Sequence, residues 1–113
     1  EASFLAGESD GTSVATVLGR APGDGAAGTV DVLVRPDDLT LVPDAGGNGR
    51  VAWTRYEGGT RLFGVDLHDG SRVRIRTNHE CHLAPGDPVA VAIGAGHPLA
   101  LFAPADREIP ASA

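Results

Sequence analysis

Residues 30–41 read VDVLVRPDDLTL, and the chain is organised around this stretch. Its β-branched residues predict a strand that ends at Arg35, and a shorter apolar strand follows the turn. Between the two strands, Pro36 fixes its own φ and restricts Arg35 to extended geometry. Asp37 and Asp38 are residue types that accept hydrogen bonds from nearby backbone N–H groups in turns. The stretch therefore predicts a locally specified corner between two β segments.

Length and composition are typical of one soluble globular domain. The chain has 113 residues, of which 42% are hydrophobic and 21% charged, and its formal net charge is −6. This charge disfavours sequence-independent binding to nucleic acid, which requires a basic surface. A single cysteine, Cys81, excludes an internal disulfide and is typical of a reducing compartment. Because the chain begins at Glu1 and contains no methionine, we expect it to be a piece of a longer protein.

Alternating apolar residues predict short strands along most of the chain. An Asp-Gly turn between residues 4–5 and 14–18 predicts a hairpin. Residues 63–75 form the clearest hairpin, with apolar side chains on one face and arginines on the other. Residues 19–28 are rich in Gly, Ala and Pro without a period, and predict a loop. No helical period persists, so we predict an all-β fold, a small barrel built from short antiparallel strands.

The domain organisation follows from where the turn residues concentrate. The Gly-rich segment between residues 43 and 49 predicts a linker. It divides the predicted barrel domain 1–103 into halves 1–43 and 49–103. Residues 104–113, which contain Pro110, are predicted to be a C-terminal tail.

Three potential metal ligands lie close together near the middle of the second half. They are His79, Cys81 and His82. A zinc site normally needs four ligands, or three and a water, and neighbouring residues of a strand point to opposite faces. The other histidines, His68 and His97, are isolated in sequence. The residue pattern therefore favours an exposed loop or strand, and these three remain the only metal-ligand candidates.

Arg72, Arg74 and Arg76 form a row on one face of the clearest hairpin. Such a row can bind phosphate or an acidic partner. It is also typical of the solvated face of a half-buried hairpin, which is the interpretation we favour. Nothing in the pattern indicates catalysis, because Ser, His and Asp occur in no recognisable nucleophile context. A Walker A motif is excluded in this piece, because it requires lysine and every basic residue is arginine.

The corner resembles the most recurrent sequence motif of a known family. Its strand followed by Arg35-Pro36-Asp37-Asp38 is similar to the TOBE-type domain, the accessory region of ATP-binding subunits of ABC importers. The start EASFL at residues 1–5 is most similar to the ferric-iron type of importer, although spermidine/putrescine-type subunits share parts of the pattern. The resemblance covers residues 1–103. Further matching positions in the family's order are Gly58, Asp69, Gly70, Pro85, Gly86 and Asp87.

The resemblance implies an OB-like barrel that regulates or dimerises ATP-binding subunits and performs no catalysis. The parent chain would be an ATP-hydrolysing translocase using ATP and magnesium, whereas no cofactor is expected in this piece. Expected partners are a second copy of the same subunit and the transmembrane permease subunits, at the cytoplasmic face of the plasma membrane. Trp53 and Tyr56 are the predicted interface residues, since aromatic side chains are enriched at interfaces.

Two other functions remain open from the sequence. The first is a small-ligand module that senses an oxyanion or a metal and gates transport. The relatives that bind molybdate carry a Ser-Ala-Arg-Asn segment that this chain lacks, so oxyanion binding is not carried over from them. The second is a barrel that binds single-stranded nucleic acid through Trp53, Tyr56 and Phe63, although the acidic charge makes a nucleic-acid partner unexpected.

Overall fold

A computed structural model describes residues 2–78 and 82–104 of the chain. These residues form ten β-strands and one short 3-10 helix, Pro36–Asp38. None of them belongs to a helix with the length and hydropathy needed to cross a bilayer. The strands are β1 Ser3–Ser9, β2 Ser13–Thr16, β3 Gly19–Gly25, β4 Gly28–Val34, β5 Leu39–Pro43, β6 Gly49–Glu57, β7 Thr60–Leu67, β8 Arg72–Asn78, β9 Pro88–Ile93 and β10 Leu99–Phe102.

Five strands close into a barrel in the order β1-β2-β3-β10-β4. Strand β1 pairs along its whole length with β4, and the last strand, β10, fills the remaining gap between β3 and β4. Closure removes the open sheet edges that otherwise invite pairing with other chains. The predicted all-β, OB-like barrel is confirmed. One part of that prediction is wrong, because the strands are not all antiparallel.

The exception is the pairing of β10 with β3, which is parallel. A two-residue hairpin can join only antiparallel neighbours, and parallel neighbours need a longer connection. Here β4 to β9 separate the two strands along the chain, so β10 can return to the barrel in the parallel direction. No local sequence pattern predicts that β10 pairs in parallel with β3.

The remaining strands form a second sheet in the order β5-β9-β6-β7-β8. The 44–48 segment connects β5 to β6, and the pairing of β5 with β9 joins strands from either side of it. Because β10 also returns to the barrel, hydrogen bonding between strands crosses the boundary between residues 1–43 and 49–103. The second sheet is thus inserted between the fourth and fifth strands of the barrel.

One apolar core serves both sheets. Leu5, Val32 and Leu101 reach it from the barrel, and Phe63 and Val91 reach it from the second sheet. All five side chains are buried. With few aromatic residues available, the core consists mainly of valine and leucine side chains, whose branched shapes suit the pleated surface of a sheet.

Strand β3 corrects the prediction of a loop over residues 19–28. Its backbone pairs with β2 on one side and with β10 on the other, although glycine and proline disfavour strands. Ala21 is buried, and a Cβ on Gly23 would lie 2.7 Å from the Leu101 side chain. Small residues are needed here because the neighbouring strands approach closely, so tertiary packing overrides the local preference.

The corner at Arg35–Asp38 joins the two sheets through one buried carboxylate. The Asp38 side chain is 6% exposed, and its Oδ2 accepts a hydrogen bond of 2.9 Å from the Arg35 backbone N–H. The backbone carbonyl oxygen of Asp38 accepts a hydrogen bond of 2.8 Å from the Gly94 N–H. The side-chain Oδ1 of Asp38 lies 3.0 Å from Nε2 of His97. Asp38 therefore connects the end of β4 with the loop between β9 and β10.

Candidate functional site

The outer face of β6, β7 and β8 carries most of the arginines of the chain. Directly opposed residues of paired strands point to the same face, so the register defines this surface. We call it the arginine–tryptophan face. Its members are Arg50, Trp53, Arg55 and Glu57 on β6, Leu62, Gly64 and Asp66 on β7, and Arg72, Arg74 and Arg76 on β8.

A β-bulge determines the position of Trp53 on this face. The register of β6 against β7 shifts between Val51 and Trp53, so that Val51 opposes Val65 and Trp53 opposes Gly64. A strict alternation would place Val51 and Trp53 on one face. The extra residue instead leaves Val51 in the core and turns Trp53 outward.

The indole ring of Trp53 lies on the backbone of Gly64. A Cβ built on Gly64 would overlap the indole ring, so this close approach requires glycine. The guanidinium carbons of Arg55 and Arg74 lie 5.6 and 5.7 Å from the ring centroid. Both distances fall within the range of cation–π attraction. The ring is thus fixed by a glycine below it and by two guanidinium groups beside it.

Leu62 is buried on the same face, away from the main core. It is 0% exposed but does not belong to the core cluster shared by the two sheets. Its directly opposed neighbours are Arg55 and Arg76. Arginine stems can cover apolar surface while their charged ends stay in water. We infer that the stems of these two arginines cover Leu62, which holds their guanidinium groups in place.

Ion pairs with carboxylates also hold three arginines of the face. Arg76 contacts Asp37 of the corner at 3.1 Å and Glu57 at 3.3 Å, and Glu57 also contacts Arg55 at 3.0 Å. These contacts lower the pKa of Glu57, chiefly through the Arg55 guanidinium, and raise the pKa of Arg76, chiefly through Glu57. Arg72 pairs with Asp66 at 2.8 Å, and its side chain is 83% exposed.

A groove of about 480 Å³ borders the face. The beginning of β1, including Phe4, forms one wall, and Trp53, Arg72 and Arg74 line the opposite side. Its volume falls within the range of small-molecule sites. The groove therefore combines apolar ring surface with guanidinium groups, a combination that suits an anionic group beside an apolar one.

The structure separates the two predicted interface residues. Tyr56 opposes Arg61 and lies on the other face of β6 from Trp53. It is 61% exposed, and the Arg61 guanidinium carbon lies 4.2 Å from its ring centroid. Trp53 and Tyr56 consequently do not share one surface of the sheet.

The residues of the family pattern outside the corner occupy turns. The Asp69 carboxylate accepts the Ser71 N–H at 2.9 Å, and the Asp87 carboxylate accepts the Ala84 N–H at 2.8 Å. Pro85 lies within the second of these turns, and Gly58 lies between β6 and β7. Positive φ angles occur at Gly58, Gly70 and Gly86, with values of 67°, 93° and 95°. The pattern therefore specifies strand connections, as expected for turn chemistry.

Two of the metal-ligand candidates, His79 and Cys81, lie outside the described residues. His82 is described and is exposed. Within residues 2–78 and 82–104, no group of three or more His, Cys, Asp or Glu side chains is arranged to hold a metal ion.

The fold is an OB-like barrel with a second sheet that carries the arginine–tryptophan face. The sequence profile of the TOBE domain family matches residues 32–101. This chain belongs to the TOBE domain family, which confirms the resemblance found in the sequence.

A curated relative is similar over most of the chain. It is the Fe(3+) ions import ATP-binding protein FbpC 1 of Rhodococcus jostii (strain RHA1), 34% identical over 101 residues. The alignment covers 82% of this chain and 29% of the relative, so the chain spans less than a third of that protein's length.

Proposed function

We propose that this domain is the accessory part of an ATP-binding subunit of an ABC importer and performs no chemistry itself. The observation that carries the proposal is the TOBE match together with the similarity to an iron-import ATP-binding protein. In the longer protein, a separate region binds ATP and magnesium and hydrolyses ATP. The subunit then acts at the cytoplasmic face of the membrane with permease subunits, and ferric iron is the proposed solute.

The proposed role of the domain is to hold two ATP-binding subunits together. An isologous contact needs a patch that complements itself. Phe4 and Phe102 form an edge-to-face pair on the outside of the barrel, with ring centroids 6.3 Å apart. Leu33 opposes Phe4 across the β1–β4 pair and points to the same side. Phe4 is 38% exposed, so apolar surface remains available on this patch.

The Phe4–Phe102 patch suits self-association better than Trp53 or Tyr56. Two copies of the arginine–tryptophan face would bring like charges together, which opposes an isologous contact. Tyr56 lies beside Arg61 on the other face of β6 and would add a further cation to such a contact. The Phe4–Phe102 patch carries one acidic residue, Asp31, which opposes Phe102, so fewer like charges meet there. We therefore place the self-contact at the barrel.

Sedimentation of the 113-residue chain across concentration tests this role. We expect a reversible dimer, and we expect Phe102→Ser to shift the equilibrium toward monomer by about tenfold or more. Val42→Ser, which changes an exposed apolar residue of the second sheet, is the matched control. A strict monomer at high micromolar concentration, or equal effects of both substitutions, would argue against dimerisation through this patch.

The importer assignment has its own test in the full-length protein. We expect ATP hydrolysis to persist after removal of this domain, while the coupling of hydrolysis to ferric-iron uptake is lost. Uptake of labelled ferric iron by membrane vesicles containing the complete transporter measures the coupling. Uptake of a polyamine instead of iron would keep the class of protein and change the solute.

A further inference from the structure

We propose that the arginine–tryptophan face is a docking surface for an acidic segment of a partner protein. The inference concerns a surface that adjoins the Phe4–Phe102 patch at Phe4, which lines the groove beside the face. It deepens the proposed function by adding a second contact to the domain, but it does not depend on self-association. Three features of this face support it: its charge, its composition, and side chains that are held in place before a partner binds.

The first argument is charge segregation. The chain as a whole is acidic, with 9 basic and 15 acidic residues. Among the described residues, the outer face of β6 to β8 reverses this balance, because its five arginines outnumber the carboxylates of Glu57 and Asp66 on the face and of Asp37 at the corner. A positive patch on a negative molecule steers acidic partners toward one surface and repels basic ones. Charge complementarity therefore selects an acidic occupant.

The second argument is composition. Interface centres are enriched in Trp and Arg and depleted in Lys, Glu and Asp. This face places Trp53 at its centre between Arg55 and Arg74, and it contains no lysine. A face that served only solubility would not need an aromatic ring fixed among its charges. The combination is that of a binding surface.

The third argument is that several side chains of the face are already held in place before a partner binds. Binding costs free energy when long side chains must be immobilised. Here the Trp53 ring already rests on Gly64, and Arg76 is already held by Asp37 and Glu57. Arg72 keeps an 83% exposed side chain beside its contact with Asp66. Part of the ordering cost is thus removed before a partner arrives.

The groove beside the face indicates what else the acidic segment carries. Trp53, Arg72 and Arg74 line it together with the start of β1. An apolar side chain fits against the indole while neighbouring carboxylates pair with the arginines. The occupant is therefore an acidic segment with one aromatic or aliphatic side chain. Because charge pairs at an exposed surface are screened by salt, we expect weak, salt-sensitive binding.

The probe is a blocked peptide of alternating Glu and Asp with one central Phe, compared with a peptide in which Gln and Asn replace the acids. Trp53 is the single tryptophan, so its fluorescence reports directly on the face. We expect saturable changes with the acidic peptide, and amide shifts in NMR spectra confined to β6, β7, β8 and the start of β1 that lines the groove. Raising the salt concentration should weaken the binding by about tenfold or more.

Charge-reversal variants locate the site. We expect Arg74→Glu and Arg72→Glu each to weaken peptide binding by about tenfold or more. Arg20→Glu is the matched control, because Arg20 is an exposed arginine of the barrel on β3 and has the same charge change. Thermal unfolding of all three variants shows whether they are folded, and only folded variants enter the comparison.

Several results would overturn the proposal. These are equal affinity for the acidic and neutral peptides, equal losses in Arg20→Glu and Arg74→Glu, or amide shifts located outside β6 to β8 and the start of β1. Tighter binding of sulfate or of a single-stranded oligonucleotide than of the acidic peptide would reject a protein partner in favour of that ligand. Phe102→Ser separates this proposal from dimerisation, because Phe102 does not itself line the groove. The substitution should shift self-association toward monomer and leave the preference for the acidic over the neutral peptide unchanged.

Discussion

At the scale of single residues, the contacts of His97 link its protonation to the fold. Its Nδ1 lies 2.9 Å from the Pro98 carbonyl oxygen, and its Nε2 lies 3.0 Å from the Asp38 carboxylate. Both partners are acceptors, so only the protonated ring donates to both. The Pro98 carbonyl and then Asp38 raise the pKa of His97, while the nearby charge of Arg35 opposes this shift.

The raised pKa predicts how stability depends on pH. The folded state holds the His97 proton more tightly than the unfolded chain, so unfolding releases a proton. The contribution of His97 is fully present below the ordinary histidine pKa of 6.5 and is lost as pH rises through the raised folded value. We expect His97→Gln to flatten the fall in urea midpoint over this range. Identical slopes for wild type and His97→Gln would contradict the assignment.

Gly64 is the second residue on which a precise contact depends. We expect Gly64→Ala to destabilise the fold by about 1–3 kcal/mol, because the added methyl group would overlap the Trp53 ring and displace it. Tryptophan fluorescence and urea unfolding measure the two effects. Gly59→Ala is the control, since nothing lies within 4 Å of a Cβ built there. An unchanged Trp53 spectrum in Gly64→Ala would show that the indole does not rest on this glycine.

At the scale of elements, sequence pattern predicts hairpins well and long-range pairing poorly. The hairpin of β7 and β8 follows from a period of two and an Asp-Gly turn, which are local properties. Strand β3 lacks such a signal, because its small residues are selected by the approach of β10 from the far end of the chain. The parallel entry of β10 is likewise absent from any local pattern.

The same limit applies to the arginine–tryptophan face. The alternation of Arg72, Arg74 and Arg76 predicts a charged face, and Trp53 is identified as a candidate contact residue. The bulge after Val51 is not predictable from alternation, yet it decides that Trp53 joins these arginines. The contact of Asp37 with Arg76 depends on how the corner packs on β8, which is a tertiary property.

Strand β10 is the element whose loss should affect the barrel most. Leu101 is 4% exposed and packs against β3, and we expect Leu101→Ala to cost about 2–5 kcal/mol. Val42→Ala, at a side chain that is 54% exposed, should change stability by no more than about 0.5 kcal/mol. Chemical unfolding of both variants gives the comparison. A cost for Leu101→Ala below about 1 kcal/mol would mean that β10 contributes little to closure.

At the scale of the whole molecule, the barrel and the second sheet form one cooperative unit. A single apolar cluster contains side chains from both, and β5 and β10 belong to different sheets from the strands that precede them. We expect one unfolding transition. Trp53 fluorescence, which reports on the second sheet, should coincide with the loss of NMR signals from β1 and β4. Two separated midpoints would show that the sheets unfold independently.

The position of β10 at the end of the described chain also determines how the protein can be made. During synthesis the first four barrel strands leave the ribosome while the strand that closes the ring is still untranslated. Until residues 99–102 emerge, β3 and β4 each retain an edge without its final partner. Unpaired edges recruit other chains. Synthesis of the chain therefore includes a period in which the edges of β3 and β4 are exposed, although the complete barrel covers them. A slower rate of translation lengthens this period.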